Sequence, residues 1–379
     1  MKNTGLLIAF LLGCFIANSQ PVITNSTFPK AGDKLKYATI VSPDFELDLK
    51  SPAGPRAWDF SMLNRGVKYE ESYVVLNAGS NPDVFPDADL VLVSGREETY
   101  IKSSGTKLEA LGLGGINPIF NAPLAIRYTT NPYLRQAPLE FVGSTRSESK
   151  FRIALNANVF PDSLLASIPA NFKPDSIRVE FSSQDKSIMD AYGTLSMQDE
   201  TFDVLREKVE VETTTSVFMK VPVLGWLNLE TVSGLISLPP FITQFLGKRE
   251  SIVYRFHSND KKEILVSATY STDNELRQVD FADLGKVTAT ENVQIQSMNC
   301  YPNPVNHILN IPVDAIPAGM YLVTLTDYSG KVVYAAFDMI QNGETKRMDV
   351  SRYATGAYFL TLRSQDNQVV ATSKVLIAK

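Results

Sequence analysis

The chain has 379 residues and a formal net charge of −5 at pH 7, with 44% apolar and 20% charged residues. A chain of this length and composition can bury the cores of roughly two or three domains. Its weak negative charge makes it a poor binder of nucleic acid and gives no attraction to anionic lipid.

Residues 1–19 have the features of a secretory signal peptide. Lys2 provides the positive start, and residues 5–13 form an apolar run that is too short to span a bilayer as an anchor. Small side chains at the −3 and −1 positions, the second of them Ser19, predict cleavage before Gln20.

Residues 11–14 also fit a lipoprotein box, in which Cys14 would be acylated and become the first residue. We favour cleavage before Gln20, since the apolar run continues beyond Cys14. Both cuts take the protein out of the cytoplasm. Cleavage before Gln20 leaves Cys300 as the remaining thiol, so the fold has to rely on its apolar core rather than on a disulfide.

The sequence from Gln20 to about residue 150 predicts strands and loops. Residues 69–76, 89–94 and 98–102 are β-type runs separated by Pro and Gly. Trp58 has two interpretations here: an exposed platform for a sugar, or a buried core residue in a strand. The strand context favours burial.

Three carboxylates, those of Asp83, Asp87 and Asp89, fall in a proline-rich loop. Oxygen ligands of this kind suit Ca²⁺, but the spacing is not that of an EF-hand, and a solvated turn is favoured over a calcium site. The run Leu-Gly-Leu-Gly-Gly at residues 111–115 lacks the Gly-Lys-Ser/Thr of a phosphate loop and is interpreted as a flexible connector.

The middle of the chain predicts a short helix at residues 162–168, bounded by prolines. After this helix, apolar and polar residues alternate at 176–182, which predicts a strand. A hairpin that continues into a long strand is predicted next, up to residue 211. Residues 252–256, 262–270 and 277–281 then predict a closing meander.

Residues 221–247 are strongly apolar, with Glu230 as their one charge before Gly247. A membrane-inserting loop is one interpretation. Prolines and glycines divide the segment into pieces too short to span a bilayer, which favours buried strands or a capping helical turn that includes Trp226 in the core. If it is partly exposed, this segment is the best candidate for a ligand groove or a partner surface.

The last part of the chain predicts a small Ig-like β-sandwich. Its short runs rich in β-branched and aromatic residues are residues 308–313, 320–326, 332–337, 357–362 and 369–377. Pro302 and Pro304 remove two backbone donors, so the segment around Asn303 is predicted to dock along a sheet edge. The whole protein is predicted to be all-β, with a sandwich- or barrel-like region before this sandwich.

Three motifs in this part of the chain carry a resemblance to a known family: Pro302, Asn303 and Pro304; the strand start with Gly356 and Tyr358; and a last run from Lys374 to Lys379. In this order they resemble the type A C-terminal sorting domain of the type IX secretion system of the Bacteroidota. The alternative is an ordinary Ig-like module without a role in export. Residues 54–61 are similar to a stretch in uncharacterised secreted proteins with such a domain, which implies no activity.

The resemblance implies export across the outer membrane to the cell surface or the medium, with the type IX machinery and its sorting protease as partners. It divides the chain into a signal peptide (1–19), a cargo region (20–285), a linker (286–297) and a sorting domain (298–379), which we call the tail. No transmembrane anchor and no cofactor are expected.

Catalysis is constrained by a shortage of histidine. His257 precedes a polar turn and is interpreted as a surface residue, and His307 lies in the tail. A His-based zinc site is therefore excluded, and Cys300 lies where the linker meets the tail, a poor place for a nucleophile.

Three hypotheses remain for the cargo region, and catalysis of any kind is uncertain. The favoured one is a non-enzymatic binding or structural module of the adhesin or scaffold type, for which the expected ligand is an extracellular glycan or protein. The second is a carboxylate-dependent glycoside hydrolase or lyase acting on polysaccharide, for which the sequence identifies no acid pair. The third is a β-barrel that holds an apolar ligand.

Overall fold

The computed structural model describes residues 20–49, 54–117, 122–159, 168, 173–232, 246–289, 296–314, 316, 319–328, 331–340, 344–363 and 369–379. Strands dominate these residues, and the predicted all-β class is confirmed. None of the helices within these ranges is long and apolar enough to cross a membrane.

The strands before the tail belong to one large sheet. In chain order they are β1 (Lys34–Val41), β2 (Gly54–Asp59), β3 (Arg65–Val75), β4 (Leu90–Ser94), β5 (Glu97–Ser103), β6 (Lys107–Asn117), β7 (Ala122–Pro123), β8 (Ile126–Arg127), β9 (Tyr133–Gln136), β10 (Ser144–Asn156), β11 (Ser176–Met197), β12 (Glu200–Val221), β13 (Gly225–Asn228), β14 (Gly247–His257), β15 (Val266–Ser271), β16 (Leu276–Ala282) and β17 (Thr288–Ala289). Short helical segments are Asn25–Thr27, Leu76–Ala78, Ala157–Val159 and α1 (Leu229–Val232).

The hairpin of β11 and β12 is the spine of this sheet. Each strand has 22 residues, and the two pair antiparallel along nearly their whole length. Gln198 and Asp199 form the turn with φ of 48° and 62°, the positive values that a two-residue hairpin turn with the right twist requires. The predicted hairpin is confirmed, and it extends ten residues past the predicted end at residue 211, to Val221.

The other strands extend from both sides of the spine. On one side, β11 pairs with β10 along its first half and, in parallel, with β2 near its end. On the other side, β12 pairs with β14 and β13, and the sheet continues through β15, β16, β1, β3, β4, β5 and β6. An isolated bridge between Thr130 and Lys150 brings its two ends near each other, but the described strands do not close into a barrel.

The largest core before the tail is built where β2 meets the spine. Trp58 is 4% exposed, and its ring meets the Phe256 ring edge-on at a centroid distance of 4.9 Å. Phe60 contacts the same Phe256 ring at 5.4 Å. The interpretation of Trp58 as a core residue is confirmed, since an aromatic side chain of this size gains most by burial.

The glycine run at residues 111–115 forms part of strand β6, so its interpretation as a flexible connector was wrong. A Cβ on Gly112 would lie 2.2 Å from the carbonyl oxygen of Ile126 and 2.3 Å from the ring of Phe85. Phe85 stacks in turn on Tyr100 at 4.2 Å. Glycine is therefore required here by close packing between strands, not by chain flexibility.

The tail is a small sandwich of two sheets, as predicted. Its strands are β19 (Ile308–Pro312), β20 (Gly319–Asp327), β21 (Val332–Ile340), β22 (Thr345–Asp349), β23 (Gly356–Arg363) and β24 (Val369–Ile377). The last two linker residues form β18 (Gln296–Ser297), which pairs with β24. Five form a sheet in the order β18-β24-β23-β20-β21, and β19 pairs with β22. Their core cluster contains residues of 298–377 alone, whereas the clusters before the tail contain residues of 23–287.

The predicted helix at residues 162–168 lies outside the described residues except for Ile168. That residue is buried against Met219, Val221 and Leu229. Of residues 221–247, the structure describes 221–232 and 246–247, which include strand β13 and the helical turn α1, elements of the kinds predicted. Val221 and Leu229 are buried as expected, whereas Val223 and Leu224 are exposed.

Candidate functional site

The amide of Asn303 attaches the entry of the tail to strand β24. Its Nδ2 donates to the carbonyl oxygen of Lys374 at 2.7 Å, and its Oδ1 accepts from the backbone N–H of Leu376 at 2.7 Å. Because Pro302 and Pro304 have no backbone N–H, this side chain supplies the donor that their backbones lack. The entry segment lies along a sheet edge, as the sequence predicts.

The other predicted sorting residues differ in their exposure. Gly356 begins β23, and Tyr358 is buried, with its hydroxyl donating to the carbonyl oxygen of Ala354 at 2.9 Å. Lys374 is exposed, and the backbone N–H of Lys379 donates to Thr355 Oγ1 at 3.3 Å.

The structure describes one of the two residues that flank the predicted signal cleavage site. Ser19 lies outside the described residues, whereas Gln20 is the first of them and is exposed. The cleavage site stays a prediction.

The three acids of the proline-rich loop, Asp83, Asp87 and Asp89, have different surroundings. Asp89 Oδ2 accepts from the backbone N–H of Ser103 at 2.9 Å, and Asp87 Oδ2 lies 3.9 Å from Arg127 Nη2. Asp83 is exposed. Within the described ranges no three His, Cys, Asp or Glu side chains are grouped as a metal site.

His257 is buried, so its interpretation as a surface histidine was wrong. Its Nε2 lies 2.9 Å from Glu207 Oε2, and both side chains are about one tenth exposed. β12 and β14 pair so that Glu207 lies opposite Arg255, the residue two before His257, which puts all three on one face of the sheet. Because the acid is fifty residues away in the sequence, the local polar turn gave no sign of it.

Glu207 is the centre of this polar group. Burial acts to raise its pKa, but the hydrogen bond from His257, the charges of Arg255 and His257 and a hydrogen bond from Ser187 outweigh burial and lower its pKa to about 2. The Ser187 and Thr145 hydroxyls are 2.6 Å apart. In a Ser–His–Asp triad the imidazole contacts the serine; here the carboxylate does, so the group lacks the contact between nucleophile and base.

The cleft beside Glu207 and His257 is small. Its volume is about 50 Å³, and its walls include Tyr133, Arg135 and Asp185. Such a space holds a few water molecules, whereas pockets for small molecules measure about 300–1,000 Å³. The cleft is therefore too small to enclose a sugar ring, and the contacts of Glu207 with His257 and Arg255 are those of a structural ion pair.

Two half-buried acids flank strand β1, Glu71 on β3 and Asp280 on β16. Burial raises the pKa of Glu71 against the opposing charge of Arg135, and Tyr73 donates to Glu71 Oε2 at 3.3 Å. Burial likewise raises the pKa of Asp280. Glu71 lies opposite Leu35 and Asp280 opposite Thr39, so the two acids are on opposite sides of β1 and four residues apart along it.

The hairpin between β12 and β13 exposes apolar side chains. We call Val223, Leu224 and Trp226 the hairpin tip: Val223 is fully exposed, Leu224 is 58% exposed and Trp226 is 37% exposed. The prediction that Trp226 is a core residue was wrong. Trp226 pairs with Lys220, and its ring lies on the guanidinium of Arg178 at 4.5 Å instead of entering the core.

A family model described as the secretion system C-terminal sorting domain matches residues 299–378. Among solved structures, the crystal structure of dimeric latent PorU from Porphyromonas gingivalis aligns at 10% identity with a TM-score of 0.17, covering 90% of this chain and 34% of that chain. This chain thus spans about a third of that protein, and the likeness is too low to support an argument. No curated protein matches.

The matched residues include the Asn303 entry, the strand that starts at Gly356 and most of the last strand run. A sorting domain of this kind interacts with the type IX secretion machinery. Residues 299–378 are a secretion system C-terminal sorting domain, and the protein is a type IX secretion cargo that passes to the cell surface or the extracellular space.

Proposed function

We propose that the cargo region is a non-enzymatic, adhesin-like binding module whose contact surface is the hairpin tip. The observation that supports this most directly is the exposure of Val223, Leu224 and Trp226 together at the end of one hairpin. Contiguous exposed apolar groups on a secreted protein are typical of interaction sites, and tryptophan is enriched among residues that dominate binding energy.

The surroundings of Trp226 hold it ready for a ligand. The guanidinium of Arg178 lies 4.3 Å from the centre of the Phe218 ring and 4.5 Å from that of Trp226. Its Nε is 3.0 Å from Glu180 Oε1. An indole held in this way loses little conformational entropy when a ligand binds, which favours affinity.

The base of the hairpin is fixed to the rest of the cargo region. Met219 and Val221, just before the tip, are buried in a cluster with Leu229. At the tip itself Val223 has a φ of 70°, a conformation that β-branched residues rarely adopt and that clusters at functional sites. An anchored base and a strained apolar apex support a contact role for the tip.

The ligand we propose is an extracellular glycan or protein with an apolar face. Trp226 offers a flat surface for stacking on a sugar or a side chain, and the exposed Lys220 beside it adds a positive charge. The small volume of the Glu207–His257 cleft leaves the tip as the better supported contact surface.

Binding of the purified full chain to extracellular polysaccharides and to surface proteins tests the proposal. Trp226→Ala combined with Leu224→Ser should reduce binding at least about tenfold, as expected for hot-spot residues, without changing the melting temperature. Val75→Ser is the matched control, because Val75 is also an exposed apolar residue, 56% exposed, but lies on β3. Unchanged binding by the tip variant would refute this function.

A carboxylate-dependent glycoside hydrolase or lyase is supported by a different observation, the raised pKa of Glu71 and of Asp280. A carboxyl group whose pKa is raised by burial is the kind of group that can serve as a general acid. Polysaccharide degradation by the full chain that is lost in both Glu71→Gln and Asp280→Asn would favour this function. The third hypothesis, an apolar-ligand barrel, lacks a comparable observation.

We also propose that the chain divides into the cargo region at residues 20–285, a linker at 286–297 that the sorting protease cuts, and the tail at 298–379. The separate core clusters on the two sides of this linker support the division. Mass spectrometry of the exported protein tests it, with a new terminus inside residues 286–297 as the expected result.

A further inference from the structure

The residues that define the sorting motif are largely engaged inside the tail. Both amide atoms of Asn303 bond to the backbone of β24, and Tyr358 is buried with its hydroxyl on Ala354. Side chains that are buried, or whose polar atoms already bond within the tail, stabilise the domain but offer little surface for another protein to contact. The surface that the secretion machinery contacts must therefore include other residues.

A pair of apolar side chains lies exposed on strands β23 and β24. Phe359 is 47% exposed and Leu376 is 40% exposed. Phe359 pairs directly with Lys374, and Leu376 with Ala357, so Phe359 and Leu376 are diagonal neighbours within reach of each other. We call Phe359, Lys374 and Leu376 the outer patch.

Strand alternation shows that the outer patch is not a failure of packing. The residues next to Phe359 and Leu376 in the chain all point into the core and are buried. They are Tyr358, Leu360, Val375 and Ile377. The solvent-facing side of such a sheet normally carries polar residues. Large apolar groups at two adjacent outward positions therefore indicate a contact site.

The outer patch also adjoins the Asn303 entry. Asn303 bonds to the backbone of both Lys374 and Leu376, two of the three patch residues. The entry thus fixes the strand that presents the outer patch. Replacing Asn303 would change the outer patch indirectly, by releasing the strand that carries Lys374 and Leu376. Replacing Phe359 would remove part of the patch surface directly.

We propose that the outer patch is the surface by which the tail docks on a component of the type IX secretion machinery. The complementary surface is apolar, to cover Phe359 and Leu376, and carries a carboxylate opposite the exposed ammonium of Lys374. The partner follows from the assignment of the tail as a sorting domain, which interacts with that machinery. The proposal does not depend on what the cargo region binds.

Export of the full chain from its native host tests the docking surface. Phe359→Ser combined with Leu376→Ser should reduce the exported fraction at least about tenfold and leave full-length protein in the periplasm, with an unchanged melting temperature. Phe359→Leu, which keeps the apolar contact, should be exported normally. Met339→Ser is the matched control, because Met339 is 49% exposed on β21, at the opposite edge of the same sheet.

Photo-crosslinking answers the question even if the double variant fails to fold. A benzophenone amino acid in place of Phe359 should crosslink the full chain to a component of the secretion machinery, whereas the same group in place of Met339 should not. Normal export of a folded double variant, or equal crosslinking from both positions, would overturn the proposal.

Discussion

The guanidinium of Arg206 and the carboxylate of Asp190 form two parallel hydrogen bonds, 2.8 Å from Nε to Oδ1 and 2.9 Å from Nη2 to Oδ2. Arg206 is 1% exposed, and its Nη1 donates to the carbonyl oxygen of Leu49 at 3.1 Å. The rings of Trp58 and Tyr254 lie 5.6 and 5.3 Å from the guanidinium carbon. A buried charge of this kind is tolerated because its partner is fixed beside it.

Asp190→Ala should therefore destabilise the protein by about 3–5 kcal/mol, because it leaves Arg206 charged and buried without its carboxylate. Glu275→Ala is the matched control, since its ion pair with Arg277 is more than half exposed on both sides and such pairs contribute about 0–1 kcal/mol. Chemical denaturation of both variants measures the difference. Equal losses of unfolding free energy in the two variants would mean that the buried pair of Arg206 and Asp190 contributes no more than an exposed pair.

The two tryptophans should respond oppositely to truncation. Trp58→Ala removes a buried side chain and should cost about 3–5 kcal/mol of unfolding free energy, with a lower melting temperature. Trp226→Ala should cost less than about 1 kcal/mol, because the side chain is partly exposed. Calorimetry of the two variants checks the assignment, and a large loss for Trp226→Ala would place that residue in the core after all.

Gly112→Ala should destabilise the sheet because the new methyl group meets the backbone oxygen of Ile126 and the Phe85 ring. Forced packing of this kind costs about 1–3 kcal/mol. Gly105→Ala is the control, since a Cβ there has nothing within 4 Å and should be neutral. The midpoint of urea unfolding distinguishes the two.

The ion pair of Glu207 should make stability depend on acid pH. The folded pKa, about 2, lies below the ordinary value of 4.5, so the unfolded chain binds the proton more readily. The stabilisation is complete above about pH 4.5 and is lost as the pH falls toward 2. Glu207→Gln should be less stable than wild type at pH 7, and the difference should shrink toward pH 3. A difference independent of pH would contradict the assigned pairing.

Asn303→Ala should weaken the attachment of the tail entry, since two hydrogen bonds of 2.7 Å are lost. We expect a loss of about 1–3 kcal/mol, visible as earlier thermal unfolding of the tail in the full chain. Asn306→Ala, at an exposed position three residues on, should leave that transition in place. If both variants melt alike, the amide does not hold the entry on β24.

The sequence predicted strands correctly where apolar and polar residues alternate strongly. The run at residues 369–377 coincides with β24, because its alternating apolar side chains already specify an inward face. Strand β22 was missed, since Thr345–Asp349 contains one large apolar residue, Met348, among polar ones. Its pairing with β19 supplies what the local sequence lacks.

The side chains of the candidate site were harder to predict than the strands. His257 and Glu207 meet through the pairing of β14 with β12, and Glu71 and Asp280 are placed by different neighbours of β1. Such encounters depend on register between distant segments, which composition does not encode. Trp226 was misplaced for a related reason: an apolar segment says nothing about which of its residues form the turn.

The position of β1 has a consequence for the order in which the protein folds. Strand Lys34–Val41 lies between β3 and β16, so its second neighbour begins 235 residues after β1 ends, counting from Val41 to Leu276. Pairing across such sequence distances slows folding, and all-β domains dominated by it fold in about milliseconds to seconds. A chain that has not yet reached β16 therefore leaves one edge of β1 unpaired and has no finished sheet.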